Sequence, residues 1–254
     1  MLQYLVILLD DTSVSFCHYD NKQTKRLIPI NTLRSAIMYA MKENLNVQFV
    51  YPAYPLPKEY DEVIESIDHI KIMSAKAFSG ADVVVFDNIE EAKVFEYHTT
   101  NDVAYVIRTE RKKLFAQSEA VALLLNKVKR LNIVITDISE FNEDDFKTYS
   151  DVLAFLSKEV ERKYVNGGSV QLNILTDRMM LNQMNNCDAG HTTITLAPDG
   201  KFYICPAFYL DDDGYSVGDL RHGLNIKNPQ LYRLDHAPLC RNCDAWQCKR
   251  CIWF

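Results

Sequence analysis

Short apolar runs of strand length recur along the chain, and longer stretches with helical periodicity lie between them. The runs suit parallel β-strands that are buried on both faces. They comprise residues 4–9, 47–51, 82–86, 103–108, 132–136 and 170–175. The helical stretches are clearest at residues 31–43, 110–130 and 144–164. This order predicts an α/β protein built from βα repeats.

The handedness of βα connections narrows the predicted topology. It favours a curved or closed parallel sheet with the helices outside. The number of βα units fits a degenerate partial (β/α)6 barrel better than a complete eight-fold barrel. An open doubly wound sheet is the alternative. Asn31 and Asn142 are predicted to begin two of the helices, because asparagine is a preferred N-cap residue.

Aspartates follow several of the predicted strands. Because ligands of parallel α/β proteins bind at the carboxyl ends of strands, these carboxylates are candidates for a site. The alternative is that they cap the following helices or solvate the loops. The residues concerned are Asp10, Asp11, Asp87, Asp137 and Asp177.

The pattern changes near residue 180, where the helical periodicity ends and cysteine, aromatic, Asp and Gly residues become frequent. We therefore predict two domains, a βα-repeat domain at residues 1–180 and a cysteine-rich metal-binding domain at residues 181–254. The 254 residues are enough for a large α/β domain with a core of its own. The metal domain is thus expected to be an addition to a protein that already folds.

Charge and hydropathy exclude two classes of partner. A formal net charge of −6 argues against nucleic acid, whose binding requires clustered Lys and Arg. The apolar amino terminus ends at Asp10 and lacks a basic leader, so we interpret it as a buried strand. No segment reaches the roughly 18–20 apolar residues of a membrane span. We therefore expect a cytoplasmic protein, in which clustered cysteines indicate metal or redox chemistry before disulfides.

The last four cysteines form a CX2CX4CX2C run. Two CX2C pairs this close together indicate metal binding, because each pair directs two thiolates to one ion or cluster. Zinc ribbons separate their pairs by about 15–20 residues, so the crowding favours iron–sulfur, with zinc as the alternative. The four are Cys240, Cys243, Cys248 and Cys251.

Two further cysteines flank a predicted β-hairpin. Pro198-Asp199-Gly200 is a turn signature between strand-like residues 192–196 and 201–204. The hairpin is expected to bring Cys187 close to Cys205, as metal ligands rather than as a disulfide. His191 is a weaker candidate ligand, since imidazole can replace thiolate at iron–sulfur centres.

The order of these cysteines resembles the SPASM domain, the auxiliary iron–sulfur module of radical SAM peptide-modifying enzymes. The shared pattern is a cysteine, twelve residues, Gly200-X4-Cys205 and a cluster that begins with CX2C. The resemblance implies one [4Fe-4S] centre held with Cys187, Cys205 and Cys251. It implies a second held with Cys240, Cys243 and Cys248.

This sequence departs from the SPASM pattern in two respects. Three cysteines per centre is one fewer than the usual four, and the downstream X2-X4-X2 spacing is tighter than the family's X2-X5-X3. The chain also ends at Phe254, directly after the last cysteine. We interpret this as a chain truncated at its carboxyl end, with a missing ligand beyond residue 254.

The loop after the first strand lacks the CX3CX2C motif of radical SAM enzymes. It holds one cysteine, Cys17, which cannot hold that cluster alone, so no S-adenosylmethionine cluster is expected. Cys17 beside His18 is a candidate nucleophile and base. Adjacent strand residues point to opposite faces, however, and a lone buried cysteine is common.

Over essentially the whole chain, the front half beginning LVILLDDTSVSFCHYDN and the ending PLCRNCDAWQCKRCIW resemble the CXXX repeat peptide maturases. The resemblance implies maturation of a ribosomally made cysteine-repeat peptide. The implied partners are the precursor peptide and a radical SAM or other maturation protein.

Three functional hypotheses follow. The first is a peptide-maturation protein that uses iron–sulfur centres for electron transfer or for ligating a peptide cysteine. The second is a non-catalytic scaffold or binding protein with a structural zinc. The third, ranked last, is a thiol oxidoreductase using its CX2C pairs directly. Near the cysteines, Arg233, Arg241, Lys249 and Arg250 are candidates to offset thiolate charge or to meet acidic peptide groups.

Overall fold

The computed structural model describes residues 2–22, 24–77, 80–97, 102–179, 181, 187–210, 214–245 and 251–253. Among them the strands are β1 (Tyr4–Leu8), β2 (Asn46–Val50), β3 (His69–Ser74), β4 (Val83–Phe86), β5 (Ala104–Thr109), β6 (Arg130–Ile135), β7 (Gln171–Leu172), β8 (Thr193–Leu196), β9 (Phe202–Tyr203), β10 (Gly218–Asp219) and β11 (Gly223–Leu224). The helices are α1 (Ile30–Lys42), α2 (Lys58–Ile64), α3 (Ile89–Val94), α4 (Arg111–Ala116), α5 (Ser118–Leu125), α6 (Glu143–Val165), α7 (Thr176–Met179) and α8 (Pro206–Leu210).

The chain divides into two compact units. The first comprises Met1–Ser15, Tyr19–Met73 and Leu181–Phe254, and the second comprises Phe16–His18 and Ser74–Met180. The predicted boundary near residue 180 coincides with the point at which the chain passes from the second unit to the first. The division into functional domains at residues 1–180 and 181–254 stays a prediction.

The first unit is built on a mostly parallel sheet. Strand β1 pairs in parallel with β2 and with β8, β2 pairs in parallel with β3, and β9 pairs antiparallel with β8. Leu5 and Ile7 of β1 and Phe49 of β2 are fully buried. Helix α1 buries Leu33, Ala36, Ile37 and Ala40, the spacing of one helical face. Long apolar runs thus form the central strands, as their composition predicts.

The second unit contains a fully parallel set of strands. Strand β5 pairs with β4 and with β6, and β6 pairs with the short β7. Phe86 at the end of β4 is fully buried and packs edge-to-face against Phe95. The predicted α/β class with a largely parallel sheet is confirmed. The closure of that sheet into a partial barrel stays a prediction.

Several local predictions are wrong. The helix expected at residues 110–130 is two helices, α4 and α5, which meet at Gln117. The strand expected at 170–175 is limited to Gln171–Leu172, because the hydroxyl of Thr176 accepts the N–H of Leu172 and donates to its carbonyl. Strand β3 was not predicted.

Across the described residues, no helix is both long and apolar enough to cross a membrane.

The two predicted helix caps differ in outcome. Asn142 caps α6, accepting the N–H of Asp144 at 2.9 Å and of Asp145 at 3.0 Å. The Asp145 carboxylate in turn accepts a hydrogen bond from the Asn142 N–H, which completes a capping box. Asn31 is not a cap, because α1 begins after Pro29 without a side-chain cap.

We expect Asn142→Ala to lower the free energy of unfolding by about 0.5–2 kcal/mol, since the first turn of α6 loses an acceptor for two N–H groups. Denaturant unfolding followed by circular dichroism measures this loss. Asn31→Ala is the matched control and should change the unfolding midpoint little. Equal losses in the two variants would contradict the assignment of the cap.

Candidate metal centre

The predicted hairpin is present, and it separates two of the candidate ligands along the chain. Strands β8 and β9 pair antiparallel, with Thr195 opposite Tyr203. Gly200 supplies the positive φ of +80° that the turn requires, and its N–H donates to the Ala197 carbonyl. Cys187 precedes β8, and Cys205 lies between β9 and α8, directly before the first residue of the helix. The hairpin prediction is therefore confirmed.

Three thiols from distant parts of the chain interact electrostatically. The thiol of Cys205 interacts with those of Cys187 and Cys251, and Cys187 also interacts with Cys251. In sequence the three are separated by the hairpin and by about forty further residues. They are the three that the SPASM resemblance assigns to one centre. Their chemistry, a set of thiols with nearby N–H donors, fits thiolate ligation.

Backbone N–H groups donate to the cysteine sulfurs in a recurring pattern. Cys187 accepts from Ala189 and Cys205 from Ala207 and Phe208. Cys243 accepts from Ala245, and Cys251 from Trp253, each at 3.4 Å between nitrogen and sulfur. Each of these sulfurs thus has a donor two residues later in the chain. Such bonds stabilise a thiolate and tune a metal that it binds.

Burial opposes thiolate formation in the metal-free protein. It raises the pKa of the Cys205 thiol to about 12, against the effect of the two N–H donors. Burial of the sulfur also raises the pKa of Cys187, although that residue as a whole is exposed. Both thiols therefore carry protons at neutral pH unless a cation replaces them.

The downstream run is described in part. Cys240 and Cys243 lie in a tight turn in which the Cys243 N–H donates to the Cys240 carbonyl at 3.0 Å. Cys248 lies outside the described residues, as do Lys249 and Arg250. Within the described ranges, no three or more His, Cys, Asp or Glu side chains form a group arranged to hold a metal ion. The ligand sets therefore stay predictions.

The remaining candidates near the cysteines have local roles. His191 lies in the turn before β8, where its N–H donates to the Asp188 carbonyl. Arg233 forms an ion pair with Asp235, which itself contacts His236 at 3.0 Å. Arg241 is exposed. Arg233 thus has a carboxylate partner of its own.

The loop after β1 is closed by its own hydrogen bonds. Asp10 Oδ1 accepts from the N–H of Thr12 at 2.8 Å and from its hydroxyl. The Ser13 hydroxyl accepts the Asp10 N–H at 3.0 Å and donates to the Val50 carbonyl at 2.7 Å. Asp10 and Ser13 are both buried. The position that carries three cysteines in radical SAM enzymes is here a compact polar turn.

Cys17 and His18 lie at the carboxyl ends of strands in the second unit. Cys17 is exposed, and its carbonyl accepts from Arg108 Nε at 3.3 Å. His18 Nδ1 lies 3.1 Å from the Ile135 carbonyl. Burial lowers the pKa of His18, and nearby Arg108 lowers it further. The imidazole is therefore neutral at physiological pH.

The aspartates at the strand ends differ in their surroundings: some form ion pairs, and another is buried against a tyrosine. In the second unit, Asp87 pairs with Lys76, Asp137 with Arg111, and Asp177 with Arg130. These three support the structural alternative. In the first unit, Asp11 is buried and accepts a bond from the hydroxyl of Tyr209 on α8. Sequence reasoning did not identify Tyr209.

Comparisons with known proteins establish the fold. No protein-family model matches the chain, and no curated protein matches its sequence. SuiB from Streptococcus suis, solved with S-adenosylmethionine bound, aligns over 97% of this chain at 10% identity and a TM-score of 0.52. SuiB solved with its precursor peptide SuiA aligns over 95% at 11% identity, also at 0.52. The chain spans 72% and 66% of those two chains. We conclude that this protein shares the fold of SuiB.

Proposed function

We propose that this chain is a maturation protein for a ribosomally made, cysteine-containing peptide. Residues 181–254 would form a SPASM-like domain with iron–sulfur centres, and residues 1–180 a degenerate radical-SAM-like domain without radical SAM activity of its own. The precursor peptide would be the substrate or cargo, and a radical SAM protein or another maturation protein the partner.

The observation that carries this proposal is the proximity of the thiols of Cys187, Cys205 and Cys251, which lie near enough for Cys187 and Cys251 to raise the pKa of Cys205 and for Cys251 to raise that of Cys187. Proximity of three cysteines so far apart in sequence is hard to explain by packing, because a buried thiol can pack in a core without other thiols near it. Metal ligation requires them together. The N–H donors at Cys187, Cys205 and Cys251 are consistent with the same role.

The fold supports the peptide part of the proposal. SuiB has been solved with its precursor peptide SuiA, and this chain aligns with that structure over 95% of its length. A shared fold alone does not carry a function, so the thiols provide the chemical argument. The narrower assignment to the CXXX repeat peptide maturases is part of the proposal and rests on the sequence resemblance.

The front loop supports the proposed lack of radical SAM activity. Its one cysteine, Cys17, is exposed, while the turn at Asp10 to Ser13 is held by hydrogen bonds within the turn. A cluster that binds S-adenosylmethionine needs three thiolates in this loop. The residues here do not fit that cluster, and we derive no step through it.

Cys187, Cys205 and Cys251 would hold the first centre, and Cys240, Cys243 and Cys248 the second. When bound, such a centre supplies electron transfer and, where a protein ligand is absent, a coordination position for a peptide thiolate. The protein's own contribution is to direct N–H groups toward the sulfurs, which favours the charged thiolates, while burial opposes them until a cation replaces the thiol protons.

The test is a metal determination on the full-length protein, purified without oxygen. We expect a brown protein with several irons per chain and the visible absorption of iron–thiolate clusters. Added precursor peptide should perturb that absorption if a peptide thiolate reaches an open iron. A colourless protein with stoichiometric zinc would overturn the iron–sulfur proposal.

A colourless protein that contains zinc would fit the second candidate function, a non-catalytic scaffold or binding protein with a structural zinc. The turn at Cys240 and Cys243 favours it, because a CX2C turn with an N–H donor to its second sulfur also suits zinc. The zinc-bound and iron–sulfur-bound forms of the protein can be distinguished by their colour, their metal content and their response to oxygen.

A further inference from the structure

Helix α8 begins at the residue after Cys205 and makes specific side-chain contacts along its length. Its first turn directs the N–H groups of Ala207 and Phe208 toward the Cys205 sulfur. Because the thiol and its donors belong to the same turn, the position of the helix sets where the Cys205 thiol lies relative to Cys187 and Cys251. Two aromatic side chains, Phe208 and Tyr209, make the contacts that fix this position.

Tyr209 connects α8 to the loop after β1. Its ring is buried, and its hydroxyl donates to Asp11 Oδ1 in a buried hydrogen bond. Lys22 Nζ lies 4.4 Å from the centre of the same ring. Burial and the bond to Asp11 both raise the pKa of Tyr209, so its proton stays on the hydroxyl. The backbone of Asp11 is itself bonded to Lys22 and Arg26.

Phe208 connects α8 to the end of the described chain. Its ring lies 5.2 Å from that of Trp253 in an edge-to-face arrangement. The N–H of Trp253 donates to the Cys251 sulfur. One short helix thus links Cys205 to the loop after β1 through Tyr209 and to Cys251 through Phe208.

We infer that Tyr209 is a positioning residue for the thiol centre, acting through its hydrogen bond to Asp11. The inference rests on the proposed function, because the thiols that Tyr209 would position are those that would bind the metal. Asp11 supplies the acceptor. In this chain the loop after β1 therefore supports the cysteines of the carboxyl-terminal region and carries no cluster motif of its own.

The alternative is a bond that stabilises the fold without orienting Cys205. The neighbouring Tyr203 provides a matched control, because its hydroxyl donates to Asp199 Oδ2 at 2.9 Å and its ring lies 5.2 Å from that of Tyr209. Tyr203 is on β9, however, and not on α8. Removing either hydroxyl deletes one tyrosine–aspartate bond in the same unit.

The experiment compares Tyr209→Phe, Asp11→Ala, Asp11→Asn and Tyr203→Phe in the full-length protein. The first readout is the alkylation rate of Cys205 by iodoacetamide in metal-free protein, measured by mass spectrometry. The second is the affinity for Co²⁺, followed by its thiolate-to-metal absorption. We expect Tyr209→Phe and Asp11→Ala to raise the alkylation rate and weaken Co²⁺ binding by about tenfold each.

Asp11→Asn should stay close to the unaltered protein, because its amide oxygen still accepts the tyrosine hydroxyl. Tyr203→Phe should also stay close in both readouts. Unchanged Cys205 reactivity in Tyr209→Phe, or an equal change in Tyr203→Phe, would overturn the inference. A parent protein with no thiolate–cobalt absorption would instead contradict the proposed metal function, while the alkylation rates would still decide the role of Tyr209.

Discussion

Replacing Cys205 by serine is expected to remove most of the iron of one centre from the anaerobically purified protein, together with that centre's share of the iron–sulfur absorption. The Cys205 sulfur lies near both Cys187 and Cys251 and accepts two backbone N–H groups, so its replacement removes one of the three thiols proposed for that centre. A serine hydroxyl ionises far less readily than a thiol and is a poor ligand for iron. Iron analysis with visible spectroscopy measures the loss.

The matched control for this substitution is Cys17→Ser. Cys17 is exposed and belongs to the second compact unit, so its replacement also removes one thiol but should leave iron content unchanged. Metal binding stabilises the folded state, and Cys205→Ser should therefore also lower the thermal midpoint of the iron-loaded protein. Full iron in Cys205→Ser, or equal loss in Cys17→Ser, would refute the proposed ligand set.

The fold was predictable where burial alone decides the structure. Strands β1 and β4 are continuous apolar runs, and β2 and β5 are mostly apolar. Such runs have few alternatives to a buried parallel strand. Strand β3 was not predicted because His69 and Lys71 interrupt its apolar pattern. Its first three residues are only half-buried. Helices α4 and α5 were predicted as one helix because the non-helical backbone of Gln117, with φ −124° and ψ 24°, leaves no mark in the apolar periodicity.

The sequence indicates which cysteines are candidate ligands, but it does not indicate the contacts that surround them. Cysteine spacing carries information about metal binding within a short segment, which is why Cys187 and Cys205 were recognised as a pair. The bond between Asp11 and Tyr209 joins residues 198 positions apart, and no local pattern reports it. Strand-end aspartates share one sequence signature, yet Asp87 forms an exposed ion pair and Asp11 a buried bond to tyrosine.

Gly214→Ala is expected to displace helix α8 and to lower stability by about 1–3 kcal/mol or more, because a Cβ atom there has no space. It would lie 1.5 Å from the carbonyl oxygen of Phe208 and 2.4 Å from its carbonyl carbon. Both are backbone atoms of α8, so relief requires the helix to move. We expect the movement to shift Cys205 away from Cys187 and Cys251 and to raise its alkylation rate.

The control is Gly223→Ala, in the same compact unit and nine positions further along the chain. Gly223 has a φ of +78° and open space around the position of a Cβ, so alanine there should cost about 1–2 kcal/mol of backbone strain without moving α8. Thermal unfolding compares the stabilities, and iodoacetamide labelling compares the Cys205 thiols. Because both substitutions destabilise the same unit, faster labelling in Gly214→Ala alone would assign the effect to α8. Equal labelling would assign it to general loss of stability and would contradict the packing of Gly214 against Phe208.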